Sequence, residues 1–84
     1  MHYDVVQVDP IGTSSLAVRF VDGASGVVEL RETFFFGVFE ALRNPAFFSQ
    51  VRCDRGFVEW PGELDLAPDA MYEAIRLNGR CVLE

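Results

Sequence analysis

Apolar and polar residues alternate from Ser15 to Val21: Leu16, Val18 and Phe20 fall on one side, and Ser15, Ala17 and Arg19 on the other. A two-residue period marks a half-buried β-strand. Asp22-Gly23-Ala24-Ser25-Gly26 supplies turn residues, and Val27 to Leu30 is the returning strand of an antiparallel hairpin. Upstream, Tyr3 to Val8 is short and β-branched, which suits a third strand beside the hairpin. Asp9-Pro10 is expected to end it, because proline cannot donate to a ladder, and Ile11 to Ser14 then forms a loop.

From Glu32 the period changes. Phe35, Val38, Phe39 and Leu42 follow i, i+3, i+4, i+7, the apolar face of an α-helix. Gly37 interrupts that face, so the helix is expected to begin at Glu32 or, if glycine delays it, at Phe36 or Gly37. Asn44-Pro45 stops it and opens a short second helix, with Asn44 as N-cap, Pro45 at N1 and Phe47-Phe48 on the apolar side. Val51 to Cys53 and Phe57 to Trp60 flank Asp54-Arg55-Gly56, a hairpin signal closed by Pro61-Gly62. Pro68 opens the last helix, whose residues Pro68, Met71, Tyr72 and Ile75 share one face, and Asn78-Gly79 ends it. Val82 and Leu83 in the remaining tail either pack back or fray.

The order β-β-β-α-(short α)-β-β-α, with no βαβ alternation, predicts an α+β fold with antiparallel hairpins packed on helices. At 84 residues the chain is expected to form one domain. Half its residues are apolar and eight are Phe, which is ample material for a small core. A surplus is expected to stay uncovered unless a partner or a second copy hides it. The net charge is −6, and the seven basic residues are scattered arginines, so direct nucleic-acid binding by this chain is not expected. No apolar run approaches the ~20 residues that cross a bilayer. Cys53 and Cys81 sit in no CxxC pair, the start of the chain lacks an apolar signal segment, and two reduced thiols in a cytoplasmic protein are expected.

Three patches of this sequence resemble the bacterial family called domain of unknown function 2442. They are Leu16 to Gly23 with Val27 to Leu30, then Gly37 to Phe48, then Trp60-Pro61 with Asp65 to Asp69 and Met71-Tyr72. The last is the most specific. The chain departs from the usual pattern after Trp60-Pro61, where Gly62-Glu63-Leu64 stands in place of Asn-Gly. The resemblance implies a small fold without assigned activity. Relatives occur alone or joined to a helix-turn-helix segment, for which this chain ends too soon after Tyr72. Relatives are also often encoded beside a second small family, which implies toxin–antitoxin-like pairing.

The candidate interaction or structural residues are Phe34, Phe35, Phe36, Phe47, Phe48, Trp60, Pro61, Asp65, Pro68 and Tyr72. Three consecutive Phe cannot all point inward from one helix, so at least one of Phe34, Phe35 and Phe36 is expected near the surface or under a loop; with Phe47 and Phe48 they either serve the core alone, the favoured reading, or offer a patch to a partner. Trp60 and Tyr72 are expected to pack together at the joint between the rear hairpin and the last helix; alternatively they line a small-ligand pocket. Asp65 is expected to cap the last helix, since Ala67 at the N-cap position offers no acceptor, and Asp69 lies in its first turn. Acid–base or metal chemistry by Asp65 and Asp69 is the less favoured reading. His2 has no nucleophile at recognisable spacing, and the glycines match no phosphate-binding loop. No cofactor or metal is implied. The sequence therefore favours a non-catalytic protein-binding or regulatory module, antitoxin-like, over a ligand sensor, and both over an enzyme.

Overall fold

The computed structural model describes residues 3–84, so His2 lies outside the described residues. The chain is an α+β fold with two sheets. Strands β1 (Val5–Ile11), β2 (Ser15–Phe20), β3 (Ser25–Leu30) and β7 (Arg80–Leu83) make a four-stranded sheet in the order β1-β2-β3-β7. Strands β4 (Arg52–Asp54), β5 (Phe57–Trp60) and β6 (Leu64–Leu66) make a three-stranded sheet. Helices α1 (Pro45–Phe48) and α2 (Pro68–Asn78) complete the fold, with two 3₁₀ segments at Glu32–Phe34 and Gly37–Arg43.

The two-residue period of β2 works as the sequence requires: Leu16, Val18 and Phe20 are buried, while Arg19 is exposed. Across the hairpin, Leu16 stands opposite Val28. β7 returns parallel to β3, pairing Val28 with Cys81 and Leu30 with Leu83. One face of this sheet therefore joins the core, and the other carries Arg19, Ala17, Val27 and Glu29 toward water. The core is continuous between the sheets and includes Val5, Phe20, Leu42, Phe48, Val58, Trp60, Met71 and Ile75.

Three expectations need correction. β1 does not stop before Asp9-Pro10 but runs on to Ile11. It is an edge strand, where a missing N–H leaves no gap in an inner ladder. The segment after Glu32 is not one α-helix. Gly37 sits at φ +59°, outside the right-handed region, and breaks the chain into two 3₁₀ pieces. In the second piece three residues make a turn, so Phe39 and Leu42 stack inward while Val38 is turned out. Leu64–Leu66 forms a third strand on β5 rather than a loop, with Trp60 opposite Leu64. Of the two outcomes open for the tail after Gly79, packing back is the one realised, as a strand.

Both helix N-termini have proline at N1, as expected. Asn44 caps α1, its Oδ1 accepting from the Ala46 N–H at 2.9 Å. No side chain caps α2 at Ala67. Asp65 lies instead in β6, exposed and opposite Glu59. Becoming a strand residue aims its side chain across the small sheet and away from the helix entry. Asp69 takes over in part, accepting from the Ala70 N–H at 2.9 Å.

Candidate functional site

The three consecutive phenylalanines part company in space. Phe35 is 6% exposed and belongs to the core, Phe34 is half-buried, and Phe36 is 68% exposed. The 3₁₀ turn Glu32–Phe34 ends at Phe35, and Phe36 is extended with φ −141°. The chain straightens at Phe36 after the 3₁₀ turn, which sends its side chain away from the core that Phe35 enters. Two residues on, Val38 is 70% exposed. Phe36 and Val38 thus flank Gly37 as an apolar ledge.

The ledge is held from behind. Arg43 Nε donates to the Phe35 carbonyl at 3.1 Å, and Nη2 donates to the Glu32 carbonyl at 3.4 Å. Its guanidinium carbon lies 5.9 Å from the centre of the Phe35 ring, and Nη1 meets the Glu32 carboxylate at 3.4 Å. The Phe34 and Phe39 rings pack with centres 4.6 Å apart. One arginine therefore ties the first 3₁₀ segment to the end of the second, and fixes the two exposed side chains between them.

Phe47 is half-buried and Phe48 is 1% exposed. Phe48 packs on Trp60 with ring centres 5.9 Å apart, and Trp60 Nε1 donates to the Phe48 carbonyl at 2.9 Å. Trp60 is 1% exposed, so its indole is a satisfied core group. Pro61 is half-buried in the turn after it, and Pro68 is buried at the start of α2. The departing turn Gly62-Glu63 has both residues at positive φ, +87° and +65°.

Tyr72 does not pack on Trp60. Its ring meets Phe20 edge-on at 5.1 Å. Its hydroxyl donates to Asp22 Oδ2 and accepts from Arg76 Nη1 at 2.9 Å. That hydrogen bond to a carboxylate, with burial adding to it, holds the phenol above its ordinary range. The two rings line different clefts. Trp60 contributes to one of about 270 Å³ with Arg52, Arg55 and Glu59, and Tyr72 to another of about 420 Å³ with Arg76 and Leu77. The shared pocket that a Trp60–Tyr72 sensor needs is thus not formed by these clefts.

Two polar groupings had no clear signature in the sequence. Asp22, Tyr72 and Arg76 join the β2–β3 turn to α2 across fifty residues, a pairing that only folding creates. Glu59, 8% exposed, is flanked by Arg52 at 3.1 Å and Arg55 at 4.0 Å. The spacing Arg52-x-x-Arg55-x-x-x-Glu59 around a hairpin could have suggested the second. Cys53 and Cys81 are both free, and burial pushes the Cys81 thiol up. Among the described residues, no group of three or more His, Cys, Asp or Glu is placed to hold a metal ion. No helix among them is long and apolar enough to cross a membrane.

A small α+β domain with an apolar ledge on paired 3₁₀ turns is the class that this geometry defines. The family model described as Protein of unknown function (DUF2442) matches residues 5–76, and the chain belongs to that family. The match takes in the ledge and most of α2 but stops before β7. No curated protein and no solved structure matches the chain.

Proposed function

We propose that this chain is a non-catalytic protein-binding module of the bacterial cytoplasm, and that it pairs with the product of a neighbouring gene in the manner of an antitoxin. The observation that carries the reading is the ledge: Phe36 and Val38 stand 68% and 70% exposed on a backbone that Arg43 clamps in place. Large apolar side chains two residues apart on a clamped backbone lose little entropy on docking, and aromatic anchors contribute strongly at interfaces. Burying Phe36 against a partner contributes about 1.5–3 kcal/mol. Family membership is compatible with the reading, and the gene pairing is what the resemblance implies.

The test is co-expression with the small protein encoded next door, followed by affinity capture and a binding titration. The wild-type chain is expected to hold that protein, and Phe36→Ser is expected to weaken binding by about ten- to a hundredfold. Capture that fails for the wild type, or that Phe36→Ser and Val38→Ser leave untouched, overturns the proposal.

A further inference from the structure

Among the described residues the four-stranded sheet ends in β1 on one side and β7 on the other, and the two edges are built differently. At β1 the register shifts between Val5 and Gln7, Pro10 lacks an N–H, and the Val5 N–H is already taken by the Gly56 carbonyl at 3.0 Å. A bulge, a proline and a neighbouring loop are the usual devices that keep a second strand from adding. β7 has none of them: Arg80-Cys81-Val82-Leu83 is a regular strand ending the sheet.

The hydrogen bonds to β3 show which groups of β7 are spent. The Gly79 carbonyl accepts from Val27 N at 3.4 Å, and the Leu83 carbonyl accepts from Arg31 N at 2.8 Å. Backbone groups alternate sides along a strand, so those of Cys81 also face β3, and those of Arg80, Val82 and Glu84 face outward.

We propose that β7 pairs antiparallel with β7 of a second copy of this chain, centred on Val82. In that register Val82 opposes Val82 of the second copy, and Arg80 opposes its Glu84. Cys81 opposes its Leu83. Every outward N–H and C=O of Arg80, Val82 and Glu84 then has a partner, as a two-fold axis through Val82 requires. At each end of the ladder Arg80, already bonded to Glu29 of its own chain at 2.6 Å, meets a second carboxylate. A slip by one residue would set outward groups against inward ones and break the ladder. A slip by two would take Arg80 away from Glu84 of the second copy and lose the charge pairing.

The ladder takes in neither Phe36 nor Val38, so the proposed pairing uses other residues than the ledge.

Sedimentation equilibrium over a concentration series tests the proposal. The wild type is expected to form a dimer. Val82→Pro removes only an outward N–H, so it is expected to raise the dissociation constant about ten- to thirtyfold while the urea midpoint of the monomer holds. Glu84→Arg, at an exposed position, is expected to weaken the dimer without any effect on folding. Val82→Cys is expected to give a covalent dimer under mild oxidation, mapped by peptide mass spectrometry to the introduced position, because facing residues of such a pair lie within disulfide reach. A monomer at all concentrations overturns the proposal. So does a dimer that Phe36→Ser dissolves, or one indifferent to both Val82→Pro and Glu84→Arg.

Discussion

Phe48 and Phe36 both belong to runs of phenylalanine at short helical turns, yet one is 1% exposed and the other 68%. The difference lies in what each backbone was given to hold. Phe48 sits in a capped turn, packs on an indole, and its carbonyl receives the indole N–H. Phe36 follows a 3₁₀ segment whose Glu32 and Phe35 carbonyls accept from Arg43, so its side chain is left outside without loosening the loop. Composition does not distinguish the two; the placement of a donor and of Gly37 does. Rigid support beneath an exposed aromatic is what separates an interaction surface from incomplete packing.

The sharpest way to test the contrast is to remove its buried half. Trp60→Ala is expected to lower stability by about 3–5 kcal/mol in a urea melt, since it empties a core site and leaves the Phe48 carbonyl with only the Val51 N–H at 3.3 Å. A near-neutral result would place Trp60 outside the core and erase the distinction. Asn44→Ala, which strips the cap from the turn that presents Phe48, is expected to cost about 0.5–2 kcal/mol. The uncapped entry to α2 offers the matching control: Asp65→Ala is expected to shift stability by no more than about 0.5 kcal/mol.

Tyr72 extends the comparison to a second anchored aromatic. Its phenol is held protonated by Asp22, so its folded pKa lies above the ordinary 10.0. Below that value the hydrogen bond stabilises the fold in full. As pH rises from about 10 through the raised folded value, the unfolded chain releases its proton first, and stability falls. Cys81 acts in the same direction, beginning from 9.0. Alkaline urea melts are expected to show this decline, and Tyr72→Phe is expected to remove the tyrosine's share while lowering the midpoint at neutral pH. The smallest effect belongs to the ledge itself: Phe36→Ser is expected to change stability by less than about 0.5 kcal/mol, and a large loss would show that the exposed ring is part of the core after all.

Much of the fold was legible because the responsible signals are local. The alternation of Leu16, Val18 and Phe20, the Asn44-Pro45 cap, and the helix from Pro68 to Asn78 all appear as read. The exposure of one residue in the Phe34–Phe36 run followed from geometry alone. The misreadings cluster where two local codes compete. The i, i+3, i+4 spacing after Glu32 suits an α-helix, but Phe39 and Leu42 also suit a three-residue turn, and Gly37 tips the balance. Leu64-Asp65-Leu66 is too short to declare itself a strand, and it forms one because β5 offers it a ladder. Asp65 loses its capping role for that same reason.

The amino-acid order on its own settled the class of fold, the ends of both α-helices and the surplus of aromatic residues, because periodicity, caps and volume are properties of neighbours along the chain. Folding in three dimensions chose which phenylalanine is hidden, paired Tyr72 with Asp22 rather than with Trp60, and laid the tail beside β3 as a strand with one edge unspent. Those outcomes depend on contacts between segments far apart in the chain, whose free energies are set by the shape of the assembled core.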